Sequence, residues 1–161
     1  ALSGLSADRM FAATFNMART TFANQQAAIT LQCGLASCGA DAVRNAALFN
    51  PGRPILVVGD LTLDTAGDIG SANEPVLINV TGKVDFGAAG VTIYGVLYVQ
   101  AANWASAGAA TVVGAVIAEG SISGNMTATF SYNSDIVKKL RASTGTFVRV
   151  PGSWQDFQPG Q

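Results

Sequence analysis

The feature of this 161-residue chain that most constrains its fold is the recurrence of short apolar segments. Val76–Val80 aligns with Val96–Gln100 and then with Ala115–Glu119, so the segments begin at positions 76, 96 and 115. Repetition at a nearly fixed period of about 20 to 50 residues is typical of architectures in which each unit stacks on its neighbour. A stacked repeat is therefore the first prediction from the sequence.

The spacing extends beyond these three segments. A step equal to that from 96 to 115 leads from Val113 to Tyr132, and Ile55 begins an apolar run at a similar distance before Val76. Because one coil cannot bury its apolar face alone, several coils must stack, with their strands about 4.8 Å apart. The sequence predicts a mainly β fold: a short parallel β-solenoid of about four coils, with an α-helical N-terminal cap and a short C-terminal helix.

A small antiparallel β-sandwich is the alternative fold, because it also consists of short strands separated by turn residues. The regular phasing favours the solenoid. The 18 glycines agree with it, since glycine permits tight corners. Charged residues make up only 12% of the chain, as expected where like charges on stacked strands would repel one another. The spacing does not define the hand of the coil.

We interpret the chain as a single domain, 1–161, with three parts. Residues 1–53 are mainly helical and include a cysteine loop, residues 54–133 form the solenoid, and residues 134–161 hold a capping helix and a tail. Ser134 is expected to cap that helix over Asp135–Arg141. The helix is expected to cover one end of the solenoid, because unpaired strand edges invite polymerisation.

The N-terminal part contains two predicted helices. Ser6 is expected to cap the first, which has phenylalanines at helical spacing on one face, namely Phe11, Phe15 and Phe22. This face is expected to pack on the chain's own domain and to cover the other end of the solenoid. Asp41 is expected to cap the second helix, which ends near Asn50.

Cys33 and Cys38 are the only two cysteines. A pair at short spacing in a chain of low charge favours a disulfide and an oxidising compartment, while two buried free thiols are the alternative. Zinc would need further Cys or His ligands, which the chain lacks.

Histidine is absent from the chain. The sequence therefore excludes a Ser-His-Asp triad, a Cys-His pair and metal sites that use histidine ligands. The net charge of −1 gives no general attraction to nucleic acid or to acidic membranes, and so does not support DNA binding. We predict a non-enzymatic protein with no catalytic residues, no cofactor and no metal site.

Three acidic residues suggest an alternative. Asp60, Asp64 and Asp68 follow one another at intervals of four and offer the oxygen ligands that calcium prefers. Calcium bound there would suit a β-helix carbohydrate-active enzyme. Ordinary solvated turns explain the same residues, and the spacing does not match a calcium-binding loop.

A group of basic residues near the C-terminal end is a candidate contact with DNA or with a protein partner. The group comprises Lys138, Lys139, Arg141 and Arg149. Such a patch can contact phosphates. Cations at the C-terminal end of a helix also suit the helix dipole, and this structural explanation accounts for the same residues.

The C-terminal tail carries the most distinctive motif. Its sequence, Arg149-Val-Pro-Gly-Ser-Trp-Gln-Asp-Phe157, resembles the C-terminal signature of PilX-type minor pilins of bacterial type IV pili. The matching residues are Val150, Pro151, Gly152, Ser153, Trp154, Asp156 and Phe157. Weaker pieces occur in the expected order, including the Phe/Met-rich first helix, the cysteine pair, Gly59-Asp60-Leu61, Pro75-Val-Leu77, Gly95-Val-Leu-Tyr98, Gly114-Ala-Val116 and Tyr132. Together they extend the resemblance over nearly the whole chain.

The resemblance implies a structural role. Minor pilins of this kind help to prime pilus assembly and lie in or near a tip complex with other minor pilins and a tip adhesin. The implied location is the periplasmic face of the inner membrane before assembly and the extracellular pilus afterwards. A pilus-associated adhesin and a DNA-binding receptor module are the alternatives within the same setting.

Pilins of this kind begin with a leader and a long hydrophobic helix that anchors them and packs in the pilus core. The sequence as given begins at Ala1, without such a segment. We expect the full-length protein to carry the anchor there. A separate periplasmic relative without an anchor is the alternative.

Overall fold

The computed structural model describes residue 4 and residues 6–87, 90–124 and 127–143, with only the backbone at 103–105. These residues form four helices and twelve strands. The helices are α1 (Ala7–Phe15), α2 (Arg19–Asn24), α3 (Ala40–Phe49) and α4 (Ser134–Ser143). The strands are β1 (Ile29–Gln32), β2 (Cys38–Gly39), β3 (Ile55–Val58), β4 (Leu61–Thr62), β5 (Gly67–Ile69), β6 (Val76–Val80), β7 (Val84–Asp85), β8 (Val91–Val99), β9 (Asn103–Ala105), β10 (Thr111–Ala118), β11 (Ser121–Ser123) and β12 (Thr129–Tyr132).

Every strand pairing among these residues is parallel. The main sheet has the order β1-β3-β6-β8-β10-β12, and β5 also pairs with β8. Two smaller sheets have the orders β2-β4-β7 and β9-β11. The protein is therefore mainly β, with a parallel-strand sheet and four helices. The alternative of an antiparallel sandwich is wrong.

The register of β8 and β10 confirms the spacing found in the sequence. Ile78 of β6 pairs with Leu97 of β8, and Leu97 pairs with Val116 of β10, so the two steps are equal. The register of β6 on β8 differs from the sequence alignment by one residue, and the registers at both ends of the sheet differ as well, because the connections between strands differ in length. The corrected pairs are Val76 with Gly95 rather than Val96, Ile55 with Ile78 rather than Val76, and Tyr132 with Gly114 rather than Val113.

The centre of the main sheet is buried on both faces, as is typical of parallel strands. All five residues of β6 are buried. Side chains alternate between the two faces. Those on the inner face, such as Ile78 and Leu97, pack with α3 and the smaller sheets. Those on the outer face, such as Leu77 and Tyr98, pack with α1, α2 and α4.

Helix α1 begins as predicted but ends at Phe15, before Phe22, which the prediction placed in the same helix. The Ser6 side chain accepts a hydrogen bond from the backbone N–H of Arg9 at 3.4 Å, which confirms Ser6 as the N-cap. Asn16 adopts the left-handed conformation and stops the helix after Phe15, so a second helix, α2, has to begin at Arg19.

The position of these helices corrects the sequence prediction. Phe11, Phe15 and Phe22 pack on the outer face of the main sheet rather than over an end of the strand stack. The outer face is lined with apolar side chains and needs a cover, which explains this position.

Helix α3 is capped from a distant segment rather than by Asp41. Its N-cap position is Gly39, which has no side chain, and Asp64 Oδ1 accepts a hydrogen bond from the Ala40 N–H at 2.9 Å. This bond is the main cause of an Asp64 pKa below its ordinary value. Asp41 lies within the first turn, where it pairs with Arg44.

We expect Asp64→Ala to lower the free energy of unfolding at about pH 7 by about 1 kcal/mol, the usual loss for an N-cap. The folded-state pKa is lowered, so the carboxylate stabilises the fold above the unfolded-state pKa of about 3.9. That contribution disappears as the pH falls through the lower folded-state value. Urea unfolding at about pH 7 and about pH 2 measures the difference. Asp68→Ala is the control, because Asp68 binds Arg44 through its backbone carbonyl, and equal losses for both variants would contradict the capping role.

Arg44 covers the edge of β5 that faces α3. Its Nε donates to the carbonyl of Asp68 at 3.1 Å, and its Nη2 donates to those of Thr65 at 3.0 Å and Ala66 at 3.2 Å. An edge whose carbonyls are already bonded cannot pair with a further strand. Helix α3 and Arg44 thus cover the outer edge of β5.

Helix α4 is capped by the residue before the predicted one. Asn133 Oδ1, rather than Ser134, accepts hydrogen bonds from the N–H groups of Asp135 at 3.0 Å and Ile136 at 3.2 Å. The buried Leu140 packs into the outer-face core, and α4 lies against β8 and β10. The prediction that α4 covers an end of the stack is therefore wrong, again because the apolar outer face takes the helix.

Candidate functional site

The outer face of the main sheet carries an aromatic cluster formed by Phe11, Phe15, Phe22 and Tyr98, all of them buried. The ring centres of Phe11 and Phe15 are 4.4 Å apart, and those of Phe15 and Tyr98 are 4.9 Å apart. Aromatic pairs at such distances contribute about 0.5–1.5 kcal/mol beyond the burial of their area. The phenylalanine face predicted from the sequence thus packs on the chain's own sheet, as expected.

An ion pair fastens the N-terminal helices to the end of β10. Arg19 Nη2 lies 2.6 Å from Glu119 Oε1, and Arg19 Nε lies 2.8 Å from Asp8 Oδ1. The Glu119 side chain is only 4% exposed. The Tyr98 hydroxyl donates a hydrogen bond to it at 2.8 Å. Burial, together with this bond and the Glu119 charge, raises the pKa of Tyr98, so the hydroxyl keeps its proton and remains a donor.

An apolar groove of about 430 Å³ lies between α1 and α4 over the main sheet. Phe15 forms part of one wall, Leu140 part of the other, and Val96 part of the floor. Tyr132, which is 74% exposed, and Arg141 also line it. This lining offers shape, apolar contact and a few polar groups, and it suits the binding of a partner's side chains.

The basic residues proposed as a DNA or partner contact serve separate neighbours. Lys139 Nζ donates to the carbonyl of Ala72 at 2.9 Å and so ties α4 to the loop before β6. Lys138 Nζ lies 3.8 Å from Asp135 on its own helix. Arg141 lines the groove. Arg149 lies outside the described residues.

The three aspartates considered for calcium also serve separate elements. Asp60 Oδ1 accepts a hydrogen bond from the Lys83 N–H at 2.8 Å, Asp64 caps α3, and Asp68 binds Arg44 through its carbonyl. In the part of the chain that the structure describes, no three Asp, Glu, Cys or His side chains are grouped so as to hold a metal ion. The calcium hypothesis therefore gains no support from the geometry.

The predicted disulfide between Cys33 and Cys38 is present, with an S–S distance of 2.09 Å. It joins the end of β1 to the start of β2. In the neighbouring layer only Gly59 and Asp60 separate β3 from β4, and a Cβ on Gly59 would lie 3.0 Å from that of Cys33. The disulfide thus lets the longer connection from β1 to β2 follow the same tight corner as the connection from β3 to β4. Residues 34–37 form a loop that projects from this corner. Leu35 in that loop is fully exposed.

Sequence reasoning missed the roles of Arg19, Glu119 and Arg44. A signal existed for Glu119, which is the only charged residue between Thr111 and Ser134. A lone charge in so apolar a segment is typical of a buried residue that is paired. No comparable signal identifies Arg19 or Arg44, because their partners lie on distant elements.

The tail motif, Val150 to Phe157, lies outside the described residues. None of the helices within the described ranges is both long enough and apolar enough to cross a membrane.

The fold and these surfaces define a disulfide-bonded, mainly β protein of parallel strands, with three helices on the outer face of the main sheet and a fourth, α3, packed on the inner face. Comparison with protein-family models, with curated proteins and with solved structures gives no match to the chain.

Proposed function

We propose that the chain is a structural subunit of a bacterial type IV pilus, of the PilX-type minor pilin class, which acts through its contact surfaces and catalyses no reaction. The observation that carries the proposal is the packing of α1 and α2 across a disulfide-bonded body of parallel strands. The resemblance implies a preceding helix that packs in the pilus core. The β body must then bind the segment that directly follows this pilus-core helix. The aromatic cluster and the Arg19–Glu119 pair bind that segment, α1 and α2, to the main sheet.

In this proposal the body is a short parallel β-solenoid. Its sides would be the main sheet, the two smaller sheets (β2-β4-β7 and β9-β11), and the pairing of β5 with the start of β8. Strand β8 changes its partner from β5 to β6 at Gly95, so that one strand serves two sides. Each turn would bond to the next through parallel strands, which makes a stiff spacer.

The disulfide supports an oxidising location, because such bonds persist in the periplasm and outside the cell. We therefore place the protein at the periplasmic face of the inner membrane before assembly and in the pilus afterwards. Other minor pilins and a tip adhesin are the proposed partners. The groove between α1 and α4 and the loop around Leu35 are the surfaces that would meet them.

Deleting the gene from its source cell should lower the number of surface pili, because a priming subunit acts before the filament grows. Electron microscopy of the cells gives the count. The wild-type gene and Gly87→Ala should restore the pili, whereas Gly114→Ala, which is expected to destabilise the fold strongly, should restore fewer. An unchanged number of pili in the deletion strain would refute the proposal.

A further inference from the structure

A pocket of about 310 Å³ lies beside the C-terminal end of helix α3. Its walls come from the last turn of α3, from the connection between β5 and β6, and from Leu140 of α4. Ala47, Leu48, Pro51 and Pro75 give these walls an apolar character. Ligand sites typically have volumes of about 300–1,000 Å³, apolar walls and a few polar groups that decide which ligand binds. The pocket therefore has the size and the general lining of a binding site.

Two carboxylates at this pocket have no hydrogen-bond donor among the described residues. Asp68 binds Arg44 only through its backbone carbonyl, at 3.1 Å. Glu74 donates its backbone N–H to the Ser71 hydroxyl at 3.0 Å. Both carboxylates are exposed, and none of the ion pairs within the described ranges includes either of them. Because an ionised carboxylate only accepts hydrogen bonds, both can receive donors from a ligand.

The two arginines that line the pocket, in the part of the chain that the structure describes, are engaged by the chain's own oxygen atoms. Arg44 donates to the carbonyls of residues 65–68. Arg53 donates to the carbonyl of Gln26 at 2.8 Å and to that of Ala27 at 2.9 Å. These cations thus hold backbone segments in place. The groups that the pocket leaves for a ligand are mainly acceptors.

Two helices end at the pocket with the negative ends of their dipoles. Helix α3 ends at Phe49, and residues 46–49, its last turn, contain no lysine or arginine. A Cβ on Gly52, which lines the pocket, would lie 3.8 Å from the carbonyl oxygen of Ser143, the last residue of α4. Arg141, in the last turn of α4, lines the groove between α1 and α4 instead. Because the C-terminal end of a helix carries about half a negative elementary charge, the pocket favours a cation.

The pocket also offers apolar contact to the stem of a cationic side chain. Leu48 is 71% exposed, and its neighbour Phe49 is 77% exposed. Large apolar side chains that lie together on a surface are typical of interaction sites. Lysine and arginine carry their charge on a chain of methylene groups, which packs along apolar surface while the charged end stays polar.

We propose that this pocket binds the side chain of a lysine or arginine from a partner protein. The cation meets Asp68 and Glu74, and the methylene groups lie against Leu48. In the pilus this partner is another minor pilin, so the identity of the partner rests on the proposed function. Binding to the pocket does not rest on it and can be measured without any pilus component, so a failure of the one is distinguishable from a failure of the other.

Amide NMR titrations of the 161-residue chain test the proposal, with N-acetyl-lysine methylamide and N-acetyl-arginine methylamide as probes. Both should shift the amides of Leu48, Gly52 and Gly70, with dissociation constants of about 10 mM or lower. N-acetyl-norleucine methylamide has the apolar stem without the charge, and it should bind about fivefold more weakly or less tightly still. Added salt should weaken the binding of the two cationic probes.

A double variant tests the two carboxylates. Asp68→Asn with Glu74→Gln removes both charges at nearly constant size and should raise the dissociation constant of the lysine probe about fivefold. Asp85→Asn with Asp135→Asn removes the same charge from β7 and α4 and should leave the binding unchanged. The amide spectra show whether both variants are folded. The proposal would be overturned if neither cationic probe gave a saturable shift at these amides up to about 50 mM, if the norleucine probe bound equally well, or if the first variant bound like the wild type.

Discussion

Gly114→Ala is expected to lower the free energy of unfolding by about 3–5 kcal/mol, a large part of the stability of a domain of this size. Gly114 has a φ of 141°, a conformation that residues with a Cβ rarely adopt. A Cβ at this position would overlap the carbonyl oxygen of Gly95 in the neighbouring strand. That oxygen belongs to the backbone of a paired strand, so the overlap can be relieved only by separating β8 from β10. Urea unfolding followed by circular dichroism measures the loss.

The control for this variant is Gly87→Ala. A Cβ on Gly87 would lie 3.5 Å from its nearest neighbour, the carbonyl oxygen of Leu63, which is an ordinary contact. Its stability should stay within about 0.5 kcal/mol of the wild type. Gly95→Ala should behave like Gly114→Ala, because its Cβ would overlap the carbonyl oxygen of Val76. Equal stability of the Gly114 and Gly87 variants would show that β8 and β10 do not approach each other as described.

Arg19→Met is the second variant with a large expected effect, a loss of about 3 kcal/mol. The substitution removes the cation from Glu119, whose side chain is 4% exposed, and within the described ranges leaves the carboxylate only the hydroxyl of Tyr98 as a donor. A buried carboxylate without its cation is costly because it has given up its hydration. The methionine preserves most of the apolar contact with Phe11, over whose ring Arg19 lies at 4.8 Å. Thermal and urea unfolding report the change.

A double variant separates the lost charge pair from lost packing. Arg19→Met with Glu119→Gln should recover most of the loss, because no uncompensated charge remains. Lys138→Met is the matched control, since Lys138 and Asp135 form an ion pair of mostly exposed side chains and should contribute less than about 1 kcal/mol. If the losses of the two single variants simply add in the double variant, Arg19 and Glu119 are not coupled.

The stacking of parallel strands could be predicted from the sequence because identical spacings place like residues on neighbouring strands. Gly95 and Gly114 align in the repeat and are paired in the structure. The spacing failed at Ile55, which pairs with Ile78 rather than with Val76. The connections between strands differ in length, so the step from one strand to the next varies. A periodic pattern in the sequence does not show which connection is longer.

The placement of the helices could not be predicted as well. The phenylalanine face of α1 indicates that the helix is buried, but not which surface covers it. That choice depends on the outer face of β6 and β8, which is apolar because parallel sheets are covered on both faces. The caps from Asp64 and Asn133 also depend on the folded structure. In each case the side-chain oxygen that lies nearest to the first N–H groups of the helix accepts the hydrogen bond, whatever its distance along the chain.

Within the candidate site, the disulfide and the three phenylalanines of the aromatic cluster could be predicted because close spacing defines both, whereas Tyr98 joins the cluster from the distant strand β8. The pair of Arg19 and Glu119 could not, because its members lie on elements that meet only after the sheet has formed. Paired charges of this kind need the three-dimensional arrangement, since neither residue carries a local motif.

Mass spectrometry of filaments sheared from the surface of the source cell is the most direct measurement of the proposed function. If the chain is a pilus subunit, its peptides should be found in the purified filaments. The peptide that contains Cys33 and Cys38 should be recovered there in the oxidised form. Recovery of the protein only from the cytoplasm, with free thiols and none in the filaments, would contradict both the location and the function.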